Sequence, residues 1–304
     1  MNEQKQLMAE IATLYYEKKY TQQEIADVLQ LSRQTVSKLL GDAVKEHIVE
    51  ITVHNPERDR TALQQQLCER FGLRDAVVCG VSTENTSLCR LMTVKAAVQY
   101  LTPLFARGNQ NVAVSWGRTM QALAEELPAL HTENNTVFPL FGATDNVDSC
   151  FMSNELARSI ADKLGARVRY AWFPYRPDTQ DDAVLLRKTS YYQAMQRLWD
   201  NIDIAVVGIG NTAVLEQFEK TFGYTEQRTA AIGDIATRFF TEKGEWLELY
   251  ENTLCASAEN LKNAKQTVAV ACGNDKIAAI LGALRTGLVD VLVTDEYTAK
   301  GLLR

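Results

Sequence analysis

The 304-residue sequence predicts two domains of different class. The first, over residues 1–55, is an all-α helix-turn-helix domain, closed by a short strand that reads as a small wing. The second, over residues 56–304, is a large α/β domain with a mostly parallel sheet. Three observations predict this. The length exceeds one small module and suits two domains, one of them large. Residues 5–45 place apolar side chains at helical spacing, with hydroxyl residues at the helix starts. From about Asp75 the texture changes to short β-branched runs alternating with helical stretches, the pattern of a parallel sheet covered on both faces.

In the N-terminal segment, Leu7, Ile11, Leu14 and Tyr15 make one apolar stripe on a first helix. Lys18-Lys19-Tyr20 breaks it. Thr21 starts a second helix, with Glu24 three residues on completing a capping box, and Ile25, Val28 and Leu29 as the expected buried face. Gln30-Leu31 is a tight turn, and Ser32 caps a third helix whose inward face is Val36, Leu39 and Leu40. Ala26 is small where two helices must cross. Position 30 is one where glycine is usual because φ turns positive; glutamine there costs roughly 1 kcal/mol. Arg33, Gln34, Ser37 and Lys38 then lie on the outer face of the third helix, able to read base edges or grip phosphates in a major groove. Thr21, Gln22, Ser32 and Thr35 complete the expected DNA-contacting set. Val49-Glu50-Ile51-Thr52-Val53 alternates as a strand, His54-Asn55-Pro56 is a linker, and Asp59 to Phe71 is helical with Leu63 and Leu67 on one face.

Six strands follow, around Ala76–Val78, Val112–Val114, Val137–Phe138, Ile204–Val207, Val268–Ala271 and Val291–Val293. Ligands of such sheets bind at the carboxyl ends of strands, so function is sought there. Val114 runs into Ser115-Trp116-Gly117-Arg118-Thr119 and a helix, a loop suited to an anion. Val207 runs into Gly208-Ile209-Gly210. Gly233-Asp234-Ile235 offers a carboxylate for sugar hydroxyls. Ala271 runs into Cys272-Gly273-Asn274-Asp275-Lys276, which opens an apolar helix and aims Lys276 at a phosphate. Each alone has an ordinary structural explanation; four together at strand ends, combining anion donors with a carboxylate, carry the expectation of a ligand site.

The bulk numbers narrow the alternatives. A net charge of -6, with six Lys and Arg against eight Asp and Glu in residues 1–55, means that DNA binding needs a local, well-aimed surface. The six cysteines are scattered without a C-x-x-C pair, and with three histidines no metal-ligand spacing exists, so no metal or cofactor is expected. No apolar run reaches membrane-span length and the first residues are polar, which predicts a cytoplasmic chain without membrane partners. Gly208-Ile209-Gly210-Asn211-Thr212-Ala213 satisfies a loose dinucleotide fingerprint, with Asp234 downstream, but Thr221–Tyr224 lacks a clean crossover helix and second strand. An isomerase would need a general base, for which only Asp234 is available. A constitutive DNA-binding protein whose large domain only oligomerises is a third class.

The segments from Thr21 to Ala26 and from Ser32 to Leu40 resemble the helix-turn-helix of SorC-type regulators. Ser115–Thr119, Val207–Gly210, Gly233–Ile235 and Gly273–Lys276 resemble that family's sugar-binding domain in the same order, and Asp290–Asp295 its closing strand. The resemblance spans essentially the whole chain. It implies a sugar-phosphate-isomerase-like fold turned sensor, a homo-oligomer that is commonly a tetramer, double-stranded operator DNA as one partner and a phosphorylated sugar or sugar alcohol as effector. It also implies Ser115, Gly117, Arg118, Thr119, Gly208, Gly210, Asp234 and Lys276 at the effector site and no catalytic residue. Cys272-Gly273 and Phe141-Gly142-Ala143 depart from the family's glycine pairs, which alters the expected pocket wall.

Overall fold

The computed structural model describes residues 3–50, 60–81, 85–144, 152–213, 216 and 229–304. The chain divides into two compact units, Met1–Arg58 and Asp59–Arg304.

In the first unit, helix α1 (Glu3–Ala12) runs on as a π-turn, Thr13–Glu17, and is followed by α2 (Gln22–Leu29) and α3 (Arg33–Lys45). Met8, Ile11, Ile25, Ala26, Val36, Leu39, Leu40 and Ala43 form its core. One expectation fails: Val28 is 64% exposed, and Ala26 takes its place inside. At about 100° per residue, Ile25, Ala26 and Leu29 define a face from which Val28 is turned by roughly a quarter of the helix circumference. Most of the expected strand, Ile51–Val53, and the linker lie outside the described residues, whereas Ile48 and Val49 pack against the helical core.

The second unit begins with α4 (Arg60–Phe71), β1 (Asp75–Cys79), α5 (Thr86–Phe105), β2 (Asn111–Val114), α6 (Arg118–Glu126), β3 (Thr136–Pro139), α7 (Ser153–Leu164) and β4 (Arg167–Val168). Next come α8 (Gln180–Arg187), α9 (Ser190–Trp199), β5 (Ile204–Gly208), β6 (Gly210–Asn211), β7 (Gly233–Ile235), β8 (Arg238–Phe240) and β9 (Trp246–Leu247). The chain ends with α10 (Ala258–Lys262), β10 (Gln266–Val270), α11 (Ile277–Arg285), β11 (Val291–Asp295) and α12 (Glu296–Leu302).

Seven strands form one sheet in the order β1-β11-β10-β5-β2-β3-β4, and every pairing in it is parallel. Successive strand residues point to opposite faces. Ile204 and Val206 therefore join Val112, Val114, Val268 and Val270 beneath α5, α6 and α7. Ala205 and Val207 join Trp199, Phe240 and Ile280 on the other side. The closing strand β11 is closing in sequence only, because it sits inside the sheet between β1 and β10. A second sheet, β6-β7-β8-β9, is antiparallel and packs on the Ala205 face. Its strands of two or three residues are too short to show a period in sequence.

Candidate functional site

Local sequence builds the helix-turn-helix by side-chain capping. Thr21 Oγ1 accepts from the Glu24 amide at 3.2 Å, and the Glu24 carboxylate accepts from the Thr21 amide at 2.8 Å, a reciprocal box. The Thr21 amide, and then its hydroxyl, donate to the Glu24 carboxylate and hold its pKa below the usual value. Gln30 adopts the left-handed conformation, φ +54°, and ends α2. Ser32 Oγ then accepts from the Thr35 amide at 3.0 Å and starts α3. Arg33, Gln34, Ser37 and Lys38 stand exposed on α3, opposite buried Val36, Leu39 and Leu40. The hydroxyls of Thr21, Ser32 and Thr35 are engaged in caps, so their structural part is to place α2 and α3. Gln22 lies half-buried at the start of α2. It lines, with Tyr15, Tyr20 and Arg33, an open groove of about 640 Å³.

In the large unit, the chain leaves β2 towards β3 and β4 on one side and leaves β5 towards β10 and β11 on the other. The segment after β2 enters α6, on the Val206 face; the segment after β5 enters the small sheet, on the Ala205 face. Adjacent strands whose connections part to opposite faces leave a crevice at their carboxyl ends, the usual ligand position of open α/β sheets.

The predicted loops meet at this crevice. Ser115 Oγ accepts from the Gly208 amide at 3.0 Å, tying the end of β2 to the end of β5. At 1% exposure, Ser115 is a latch within the wall. Gly117, φ +103°, is a conformation side chains rarely adopt, and it lets the chain turn into α6. Arg118 is exposed and Thr119 half-buried in the first turn of that helix. Gly273, φ +109°, makes a similar turn after β10, followed by a 3-10 turn, Asn274–Lys276, and then α11. Lys276 thus ends a 3-10 turn ahead of the helix. Its Nζ donates to the Ile209 carbonyl at 2.7 Å, between the two glycines.

Asp234 corrects an expectation of place: it lies inside β7 of the small sheet, opposite Gly210 of β6, and not at the end of a parallel strand. A Cβ on Gly233 would fall 2.5 Å from the Gly210 carbonyl, so this pairing needs glycine. The Asp234 carboxylate accepts from the Thr237 amide at 3.0 Å. Burial to 3% exposure pushes its pKa up to about 6, against the pull of the Thr237 amide and the Lys276 charge. Burial also lowers the pKa of Lys276, and the positive charge of Arg90 adds to that, while Cys272, Asp234 and Asp275 oppose it. The site therefore carries a strained cation on one side of Gly208-Ile209-Gly210 and a reluctant carboxylate on the other.

A model of the sugar-binding domain family matches residues 56–304, and one of sigma-70 region 4 matches residues 6–46. The chain belongs to the SorC-type family of regulators. The sorbitol operon regulator of Klebsiella pneumoniae is 29% identical over 311 residues, covering 98% of each chain. The deoxyribonucleoside regulator of Bacillus subtilis (strain 168) is 29% identical over 308 residues, covering 99% of this chain and 98% of that one. The crystal structure of full-length SorC from Klebsiella pneumoniae matches with a TM-score of 0.73 at 28% identity, over all of both chains.

Within this SorC-type domain, Ser115, Gly208, Gly210, Asp234 and Lys276 form one connected wall, and Gly117–Thr119 enter the adjoining helix. Sequence reading missed Arg90, half-buried in the first turns of α5, whose neighbour Cys89 packs in a cluster with Cys79 and Cys272. Its signal was position: it follows the carboxyl end of β1. Asn211 was also missed; its Nδ2 donates to Asp275 Oδ2 at 3.0 Å and braces the turn before Lys276. Among the described residues, no group of three His, Cys, Asp or Glu could hold a metal, and no helix is long and apolar enough to cross a membrane.

Proposed function

We propose that this chain is a cytoplasmic DNA-binding regulator of a carbohydrate catabolic operon, controlled by a phosphorylated sugar or sugar alcohol bound at the β2/β5 crevice. The observation that carries this reading is the pairing of opposite groups across Gly208-Ile209-Gly210. Lys276 and the amides of the turn at Gly117–Thr119 suit a phosphate, and Asp234 suits sugar hydroxyls. Relatives named for sorbitol, deoxyribonucleosides and erythritol fit a site that varies in the carbon skeleton it accepts. Arg33, Gln34, Ser37 and Lys38 contact operator DNA, and the chain works as a homo-oligomer, a tetramer. The effector acts through its differential affinity for two states of the regulator.

An enzymatic reading is less well supported. For a dinucleotide fold the second glycine should face a pyrophosphate; here Gly210 is held in strand pairing with Asp234. For an isomerase, Asp234 lacks a partner acid or base among the described residues joined to it by a hydrogen bond or ion pair. The test is a thermal-shift series of sugar phosphates beside the same sugars without phosphate, followed by operator titration with each stabilising compound. A phosphorylated compound should raise the melting temperature by mass action and change operator affinity. Stabilisation by unphosphorylated sugars alone, or turnover of a sugar phosphate, would reject this reading.

A further inference from the structure

We propose that the outward face of α8 is a two-fold contact through which two copies of this chain pair, α8 lying antiparallel on α8. The inference rests on the oligomer reading above only in taking a second copy as the occupant.

The sequence of α8 is Gln-Asp-Asp-Ala-Val-Leu-Leu-Arg, with Lys188 as its C-cap. At about 100° per residue, Asp181, Val184, Leu185 and Lys188 fall within one arc of roughly 100°. Ala183, on the opposite side, is fully buried against the domain. The outer face is unusually apolar at its centre: Val184 is 38% and Leu185 61% exposed, and Tyr191, at the start of α9, is 65% exposed. An isolated exposed leucine needs no explanation. Two adjacent aliphatic side chains centred between opposite charges, with an aromatic beside them, do.

The charges identify the occupant. Asp181 and Lys188 are both exposed, and neither enters an ion pair among the described residues. They stand seven positions apart, about 10 Å along the helix, with Val184 and Leu185 at the midpoint. A two-fold axis through that midpoint sets each Asp181 against the Lys188 of the second copy, so two ion pairs bracket four aliphatic side chains. Parallel stacking would set like charge on like. An antiparallel, isologous copy satisfies both ends at once, and a second α8 is the partner we take. The helix dipole accounts for an acid at the start and a base at the end; it gives no reason for the aliphatic pair between them. The other exposed apolar row, Leu88, Leu91 and Met92 on α5, has no acid in its first turn and is not self-complementary in this way. Two helical turns cover less than the 1,200–2,000 Å² of a typical stable interface, roughly. Tyr191 and its surroundings on α9 extend the contact.

The test uses the full chain, with mass measured by sedimentation and light scattering at low micromolar concentration and folding checked by circular dichroism. Leu185→Glu puts a charge at the dyad and should weaken the contact at least about a hundredfold, lowering the assembly by one step. Asp181→Lys makes the face all-positive at its ends and Lys188→Asp makes it all-negative. Each should weaken self-association about tenfold, more at low salt. The double variant Asp181→Lys/Lys188→Asp should recover the parental mass, as should a 1:1 mixture of the two single variants, each alone being defective. A parent that is monomeric at tens of micromolar, single variants that keep the parental mass, or a mixture that fails to recover it would overturn the proposal. Effector-induced thermal shifts of the same variants report on the sugar-phosphate reading separately, because α8 contributes no residue to the crevice.

Discussion

Replacing Asp234 by asparagine isolates the energy of holding a carboxyl where burial lifts its pKa from 3.8 to about 6. The folded pKa lies above the unfolded one. The folded chain therefore binds more protons than the unfolded chain between about pH 4 and pH 6. The contribution of Asp234 to stability is complete below pH 3.8 and is lost as pH rises through about 6. At about 1.4 kcal/mol per pH unit, the effector-free protein at pH 7.5 carries a penalty of about 3 kcal/mol. Asparagine keeps an oxygen able to accept from the Thr237 amide and never ionises. Asp234→Asn should therefore be more stable than the parent at pH 7.5 by up to about 3 kcal/mol, or roughly 6–12 °C for a domain of this size. The advantage should fade to nothing near pH 4. Paired melting curves at pH 4.5, 6 and 7.5, without effector, measure it. A difference that does not change with pH, or a parent more stable than the variant at pH 7.5, would refute the reasoning. The same variant should bind a sugar phosphate less tightly, which would make Asp234 a group held ionised at the expense of stability for the sake of binding.

Gln30→Gly should stabilise the helical unit by about 0.5–1 kcal/mol, because φ +54° suits glycine, as read from the first melting transition. Arg33→Ala and Gln34→Ala should each relax base preference at one position per half-site, at about 1–3 kcal/mol per bidentate contact, in operator binding at matched salt. Lys276→Ala should abolish the response to the effector and leave operator affinity of the effector-free protein unchanged. Because it strips the Ile209 carbonyl of its donor, it should also lower the melting point of the large unit slightly.

The helix-turn-helix was legible because its determinants are local. Thr21, Glu24 and Ser32 announce helix starts within three residues of the bonds they make, and Val36, Leu39 and Leu40 repeat at helical spacing. Val28 was misplaced because in an eight-residue helix three apolar residues leave two candidate faces, and only the packing of Ala26 against α3 decides between them. The six parallel strands were legible as β-branched runs. The small sheet was not: Gly210–Asn211 and Gly233–Ile235 pair across 22 residues or more, and nothing in a two-residue strand marks its partner. That long-range pairing is also what puts Asp234 beside Lys276. The loops that meet at the crevice were thus readable one at a time, while the wall they form together was not.

The position of β11 has a consequence for synthesis. The first strand of the large unit, β1, finds its neighbour in β11, where Asp75 pairs with Val291, 216 residues later in the chain. All five residues of β11 are buried, and Arg70 of α4 reaches the Leu303 carbonyl at 2.6 Å. On the ribosome, the core from Met8 to Ala43 is complete hundreds of residues before β1 can pair, so the α/β unit closes after the helical one. A nonsense codon between α11 and β11 would bare the edges of both β1 and β10 while leaving the helical core intact. Such a fragment keeps α3, has lost the closed α/β unit, and exposes two strand edges to aggregation. A truncation ahead of β11 should therefore be more damaging than the loss of one strand suggests.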